Sequence, residues 1–235
     1  MKHWLPLLLT LPLSHTQAAG PAFNCTQVVA GSIEQQICQS EPLSALDRQM
    51  AEVYTAAQQK AGNEHPPVLK AEQRGWIKGR NDCWKSADQP TCIADSYRLR
   101  IAELQARYRL VEANGPVFYQ CDGNPAKEVV ASFFRTEPPT AIVEFGDRSS
   151  LMYLEQTASG ARYQGQNESL WEHHGEAIVV WAIRGRKCAV QRVESHLEGA
   201  YAPISITQPA DQQSGAVVNH PGRQQCGGGT TPTAG

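Results

Sequence analysis

The chain has 235 residues, of which 41% are hydrophobic and 19% charged, an ordinary composition for a folded soluble protein of one large or two small domains. A formal net charge of −2 lacks the basic excess that nucleic-acid binding requires, so no nucleic acid is expected as partner.

Residues 1–19 combine Lys2, an apolar run from Trp4 to Leu13 and a small-residue exit at Ala18 and Ala19. This is the layout of a cleaved secretory signal, and the run is too short to span a bilayer. No cysteine follows it within a few residues, so neither a lipobox nor a membrane anchor is expected. The mature chain is expected in the periplasm or outside the cell, where its cysteines are free to form disulfides.

Residues 21–112 show apolar residues at helical spacing. Ser32 with Gln35 three residues on is a capping box, and Pro42 opens a second helix whose stripe is Leu43, Leu46, Met50, Val53, Tyr54 and Ala57. A third helix should bury Leu69, Trp76, Ile77 and Trp84. A fourth carries Ile93, Tyr97, Ile101, Leu104, Tyr108 and Val111. Short loops make the neighbours antiparallel, a small helical bundle. Four cysteines allow three pairings; the local one, Cys25 with Cys38 and Cys83 with Cys92, would pin the entry segment and the third helical hairpin.

The segment "EANGP" at 112–116 reads as a linker or sharp turn. Beyond it the period changes to two, and seven strand-like runs separated by turn residues fill 116–198. They suggest a small antiparallel barrel or sandwich of six to eight strands, in which Cys121 in the first run and Cys188 in the last could meet. This segment holds 11 acidic and 8 basic residues, a mild imbalance suited to a cationic partner. Residues 199–235 decay into Gly, Pro, Gln and Thr and read as a disordered tail, with Cys226 the cysteine left over.

Few constellations carry chemistry. Ser159 in "ASGAR" is not a GxSxG nucleophile, and no strand-turn-helix surrounds it. His173 and His174 in "EHHGE" point to opposite faces if they lie on a strand, which argues against a shared metal. No CxxC or Cys/His cluster has zinc spacing. An eight-stranded interior filled by Phe133, Phe145, Leu154 and Trp181 leaves little room for a carried ligand. No catalytic residue, cofactor or metal is therefore expected.

The second half resembles the C-type lysozyme inhibitor family, the MliC/PliC proteins, in "YQCDG" (119–123), "SGARY" (159–163), "LWEHHGEA" (170–177) and the closing Cys188. The first half is similar to the domain named for the lysozyme inhibitor LprI in "FNC", "QIC", "LDRQMAEVY", "EQRGWIKGRNDCW" and "IADSYRLRIAEL". The resemblance implies an α+β chain of two domains, a disulfide-linked helical bundle (21–112) and an antiparallel β-barrel of about eight strands (116–198). It also implies C-type lysozyme as partner.

Such lysozymes cut with two carboxylates in a cleft, one protonated and one ionised. In the family, the serine of the SGxxY loop and the lysine of FWxKGxEA are understood to engage them. Ser159 matches the serine. The lysine position is taken by His173 and the glycine after it by His174. The positive charge would then come from His173, whose residue type changes charge near neutrality, or from Arg162, whose planar fork suits a carboxylate. Gly160 and Tyr163 complete the expected contact set. The alternative is an envelope-associated binding module for another protein or a glycan.

Overall fold

The structure, a computed structural model, describes residues 20–64, 67–121, 124, 126–174 and 176–181, together with the backbone of 186–193. The expected signal, the tail and Cys226 lie outside the described residues.

Four α-helices come first: α1 (Ile33–Gln39), α2 (Glu41–Lys60), α3 (Val68–Asn81) and α4 (Gln89–Arg107). Polar caps set their starts. Ser32 Oγ accepts from the Gln35 amide at 3.2 Å, and Gln35 Oε1 reaches back to the Gly31 amide at 2.7 Å. Ser40 and Asp88 accept from the amides of Leu43 and Thr91, and Pro42 and Pro90 stand in the first turns where a missing N–H costs nothing. Glu64 caps α3 from outside, accepting from the Leu69 amide at 3.2 Å.

The helices bury Ile33, Ile37, Leu43, Met50, Ala57, Leu69, Ile93, Tyr97, Ile101 and Leu104 in one core, with Leu46, Val53, Tyr54 and Trp76 packed against it. Trp84 and Ile77 depart from the expected stripe. The chain tightens into a 3-10 turn at Asp82–Lys85, so Trp84 leaves the 3.6-residue phase and is 63% exposed. Disulfides join Cys25 to Cys38 and Cys83 to Cys92. Disulfides persist in oxidising compartments, which fits a location outside the cytoplasm. No helix among the described residues is long and apolar enough to cross a membrane.

Through this core runs a polar chain that no pattern announces. Arg80, 5% exposed, donates to Glu34 Oε1 and to the Tyr97 hydroxyl, each at 2.7 Å. Tyr97 in turn donates to Asp47 Oδ1 at 2.7 Å. Burial pushes the Tyr97 hydroxyl well above its ordinary range. Burial would also raise Glu34, but hydrogen bonds from Asn81 and the Arg80 charge outweigh it and hold that carboxyl below its usual value.

Eight antiparallel strands follow: β1 (Ala113–Cys121), β2 (Glu128–Phe134), β3 (Thr140–Phe145), β4 (Arg148–Glu155), β5 (Ala161–Gln164), β6 (Ser169–His173), β7 (Glu176–Trp181) and β8 (Arg186–Val193). Each pairs with the next, and β8 returns to β1 to close a barrel. Closure leaves no unpaired edge. Its interior is filled by Tyr119, Val129, Ala131, Val143, Met152, Tyr163, Leu170, Val179 and Trp181, each large apolar side chain stabilising by roughly 1.5–3 kcal/mol when fully buried. The turn read at 112–116 is instead the first half of β1, with a register break between Asn114 and Val117. Gly115 is needed there: its φ is +113°, and a Cβ would sit 2.9 Å from the Ala131 carbonyl oxygen.

Cys121 is disulfide-bonded. Its expected partner, Cys188, stands on β8 opposite Val179, where side chains are outside the described residues. Helix α4 packs along β3, and the Tyr153 hydroxyl of β4 donates to the Leu99 carbonyl at 3.2 Å.

Candidate functional site at the Ser159 hairpin

The register of four consecutive strands builds this site. Glu155 lies opposite Arg162, Arg162 opposite Trp171, and Trp171 opposite Ile178. Because alternate residues face opposite sides of a sheet, these four share the outer surface, while Tyr163, Leu170 and Val179 point into the barrel. Ala161 pairs with Glu172 and His173 with Glu176, so the 156–160 loop and the His174 turn emerge side by side at one end.

Ser159 is exposed at the tip. Among the described residues no group bonds its hydroxyl, whereas its carbonyl is held twice: the Trp171 indole N–H donates to it at 3.1 Å and the Thr157 hydroxyl at 3.0 Å. The same hydroxyl reaches the Gly160 carbonyl at 3.0 Å. The backbone under Ser159 is fixed and its side chain is not.

Gly160 joins the two tips. Its φ is +70°, a conformation glycine adopts without penalty. A Cβ there would collide with the Glu172 carbonyl oxygen and approach Cδ2 and Cβ of His173 at 3.1 and 3.2 Å. The Ser159 loop is thus pressed onto the His173 turn.

The remaining expected residues divide. His173 is exposed at the tip, its ring edge-on to His174 with centroids 4.0 Å apart. Arg162 faces outward, and its Nε lies 3.6 Å from Glu155 Oε2. Tyr163, expected at the contact surface, is instead turned inward and 4% exposed, its ring 5.3 Å from Phe133. Burial, and to a lesser degree Glu172, raises its hydroxyl to about 12. It braces the loop from beneath. Thr157 and Glu155 carried no signal in the sequence, since an isolated threonine or glutamate near a turn is unremarkable until the loop closes.

Residues 119–187 match the family model described as MliC, membrane-bound lysozyme inhibitor of c-type lysozyme, and residues 25–104 match LprI, lysozyme inhibitor LprI. The two matched segments fall on the helical half and on the barrel respectively. It is 26% identical over 183 residues to proteins named Lipoprotein LprI from Mycobacterium bovis and Mycobacterium tuberculosis, an overlap covering 74% of this chain and 91% of theirs. No solved structure matches the chain.

One backbone angle marks the turn after β6. His174 has φ +53°, the left-handed region glycine favours. An L-residue there costs about 1–2 kcal/mol. His174→Gly is therefore expected to stabilise the barrel by about 0.5–1 kcal/mol, measured by urea unfolding. A lowered midpoint would show the turn to be unstrained.

Proposed function

We propose that this chain inhibits C-type lysozyme, outside the cytoplasm, by inserting the Ser159 loop into the catalytic cleft with His173 beside it. The observation that carries this reading is the state of the tip: a hydroxyl that none of the described residues bonds, on a backbone clamped by Trp171, Thr157 and the Gly160 contact. A hydroxyl both donates and accepts, so it can meet a protonated or an ionised carboxyl. A loop already held in its bound shape loses little entropy on docking.

Two observations favour His173 over Arg162 as the partner charge. His173 touches the Ser159 loop through Gly160, whereas Arg162 sits on the outer sheet face beside Glu155. An imidazolium next to an ionised carboxylate is favoured by that charge.

Inhibition of cell-wall lysis by the purified, oxidised chain tests the reading. Ser159→Ala should weaken inhibition by roughly tenfold to a hundredfold, the loss of one hydrogen bond to a charged group, with no change in melting temperature. His173→Ala should weaken it comparably and Arg162→Ala less. Equal inhibition by parent and Ser159→Ala would remove the serine from the contact.

A further inference from the structure

Beside the Ser159 tip, the outer barrel face carries an exposed apolar pair. Trp171 and Ile178 are cross-strand partners on β6 and β7 and are 39% and 44% exposed. Charged and polar residues surround them. Arg162 pairs with Trp171 from the β5 side and is itself opposite Glu155. His173 and Glu176, two positions along the same strands, pair with each other at the tip end. An apolar centre inside a polar rim is the anatomy of a protein contact, and tryptophan and arginine dominate the energetics of such contacts.

The patch is continuous with the plug. Trp171 supplies both the exposed ring of the pair and the N–H that holds the Ser159 carbonyl at 3.1 Å. A body that receives Ser159 in a cleft brings the wall of that cleft close to Trp171, because the ring is hydrogen-bonded to the loop that enters.

We propose that the Trp171–Ile178 face is a second contact patch, which packs against an apolar stretch of the lysozyme surface bordering the cleft. This rests on the reading that the Ser159 loop enters that cleft. The loop meets the reacting carboxylates, shared by every lysozyme of the type; the patch meets the rim, which is free to differ. Selection among C-type lysozymes therefore resides at Ile178 and Trp171 rather than at Ser159.

The test measures inhibition constants of the full, oxidised chain against two C-type lysozymes of different origin. Variants are Ile178→Asp, Ser159→Ala and, as a matched control, Val68→Asp on α3, also an exposed apolar residue at 45%. Ile178→Asp is expected to weaken inhibition about tenfold and to change the ratio between the two lysozymes, at unchanged melting temperature. Ser159→Ala should weaken both alike, and Val68→Asp neither. If Ile178→Asp inhibits like the parent while Ser159→Ala is weakened, the patch is not a contact and the loop reading stands. Equal weakening by Val68→Asp would make the effect one of net charge and also overturn the patch. If the parent inhibits neither lysozyme, the loop reading fails and the patch falls with it.

Discussion

Gly160→Val is expected to reduce lysozyme inhibition at least a hundredfold, more than any other single change in the barrel. Two costs coincide at this position. At φ +70° an L-residue, least of all a β-branched one, does not fit the backbone well, which costs about 1–2 kcal/mol. The added Cβ also meets the Glu172 carbonyl oxygen, and Glu172 cannot retreat because it is paired with Ala161 in the ladder. The loop must therefore lift off the β6–β7 turn, displacing Ser159 and separating it from His173 in one step. Tyr163 and Leu170 beneath remain packed, so the barrel should still fold. Lysis assays run beside thermal melts check this. A folded Gly160→Val protein that inhibits like its parent would show that the loop's shape is irrelevant.

Arg80→Leu should cost the helical half about 3–5 kcal/mol, the usual penalty for leaving buried charge without its partner. Arg80 is the hub that joins Glu34 on α1 to Tyr97 on α4, and through Tyr97 to Asp47 on α2. Asp47 is 8% exposed, and without the guanidinium nearby its carboxylate loses the cation it faces across the Tyr97 hydroxyl. Acid should act in the same direction. The Glu34 carboxyl is held below its ordinary value of 4.5, so its contribution is present above that pH and is lost as pH falls through the lowered folded value. Urea unfolding at neutral pH, read by the helical circular dichroism signal, measures the substitution. A loss below 1 kcal/mol would mean the network is dispensable.

Much of the helical half is legible in its periodicity, because Leu43, Met50, Ala57, Ile93, Tyr97, Ile101 and Leu104 repeat at the spacing of one helix face and are buried together. The Arg80 network is not, since its partners lie 17 and 46 residues away in sequence and charged residues ordinarily read as surface. Trp84 shows where periodicity misleads: the stripe continues on paper after the helix has ended. In the barrel, seven runs show as strands, but β5 has only four residues, Ala-Arg-Tyr-Gln, too short and too polar for alternation to register. That strand is what converts "SGARY" from a loose turn into a clamped hairpin. The sequence places Ser159, Gly160 and His173 in candidate motifs. That Gly160 presses one tip onto the other, and that Trp171 braces the loop through its N–H, depends on register that only the folded barrel supplies.

The most direct measurement is inhibition kinetics of a C-type lysozyme by the oxidised chain, with and without a substrate oligosaccharide that fills the cleft. The account predicts tight inhibition near one-to-one stoichiometry that the oligosaccharide relieves competitively and that Ser159→Ala weakens. Full lysis at excess inhibitor, or inhibition indifferent to the occupied cleft, would contradict it.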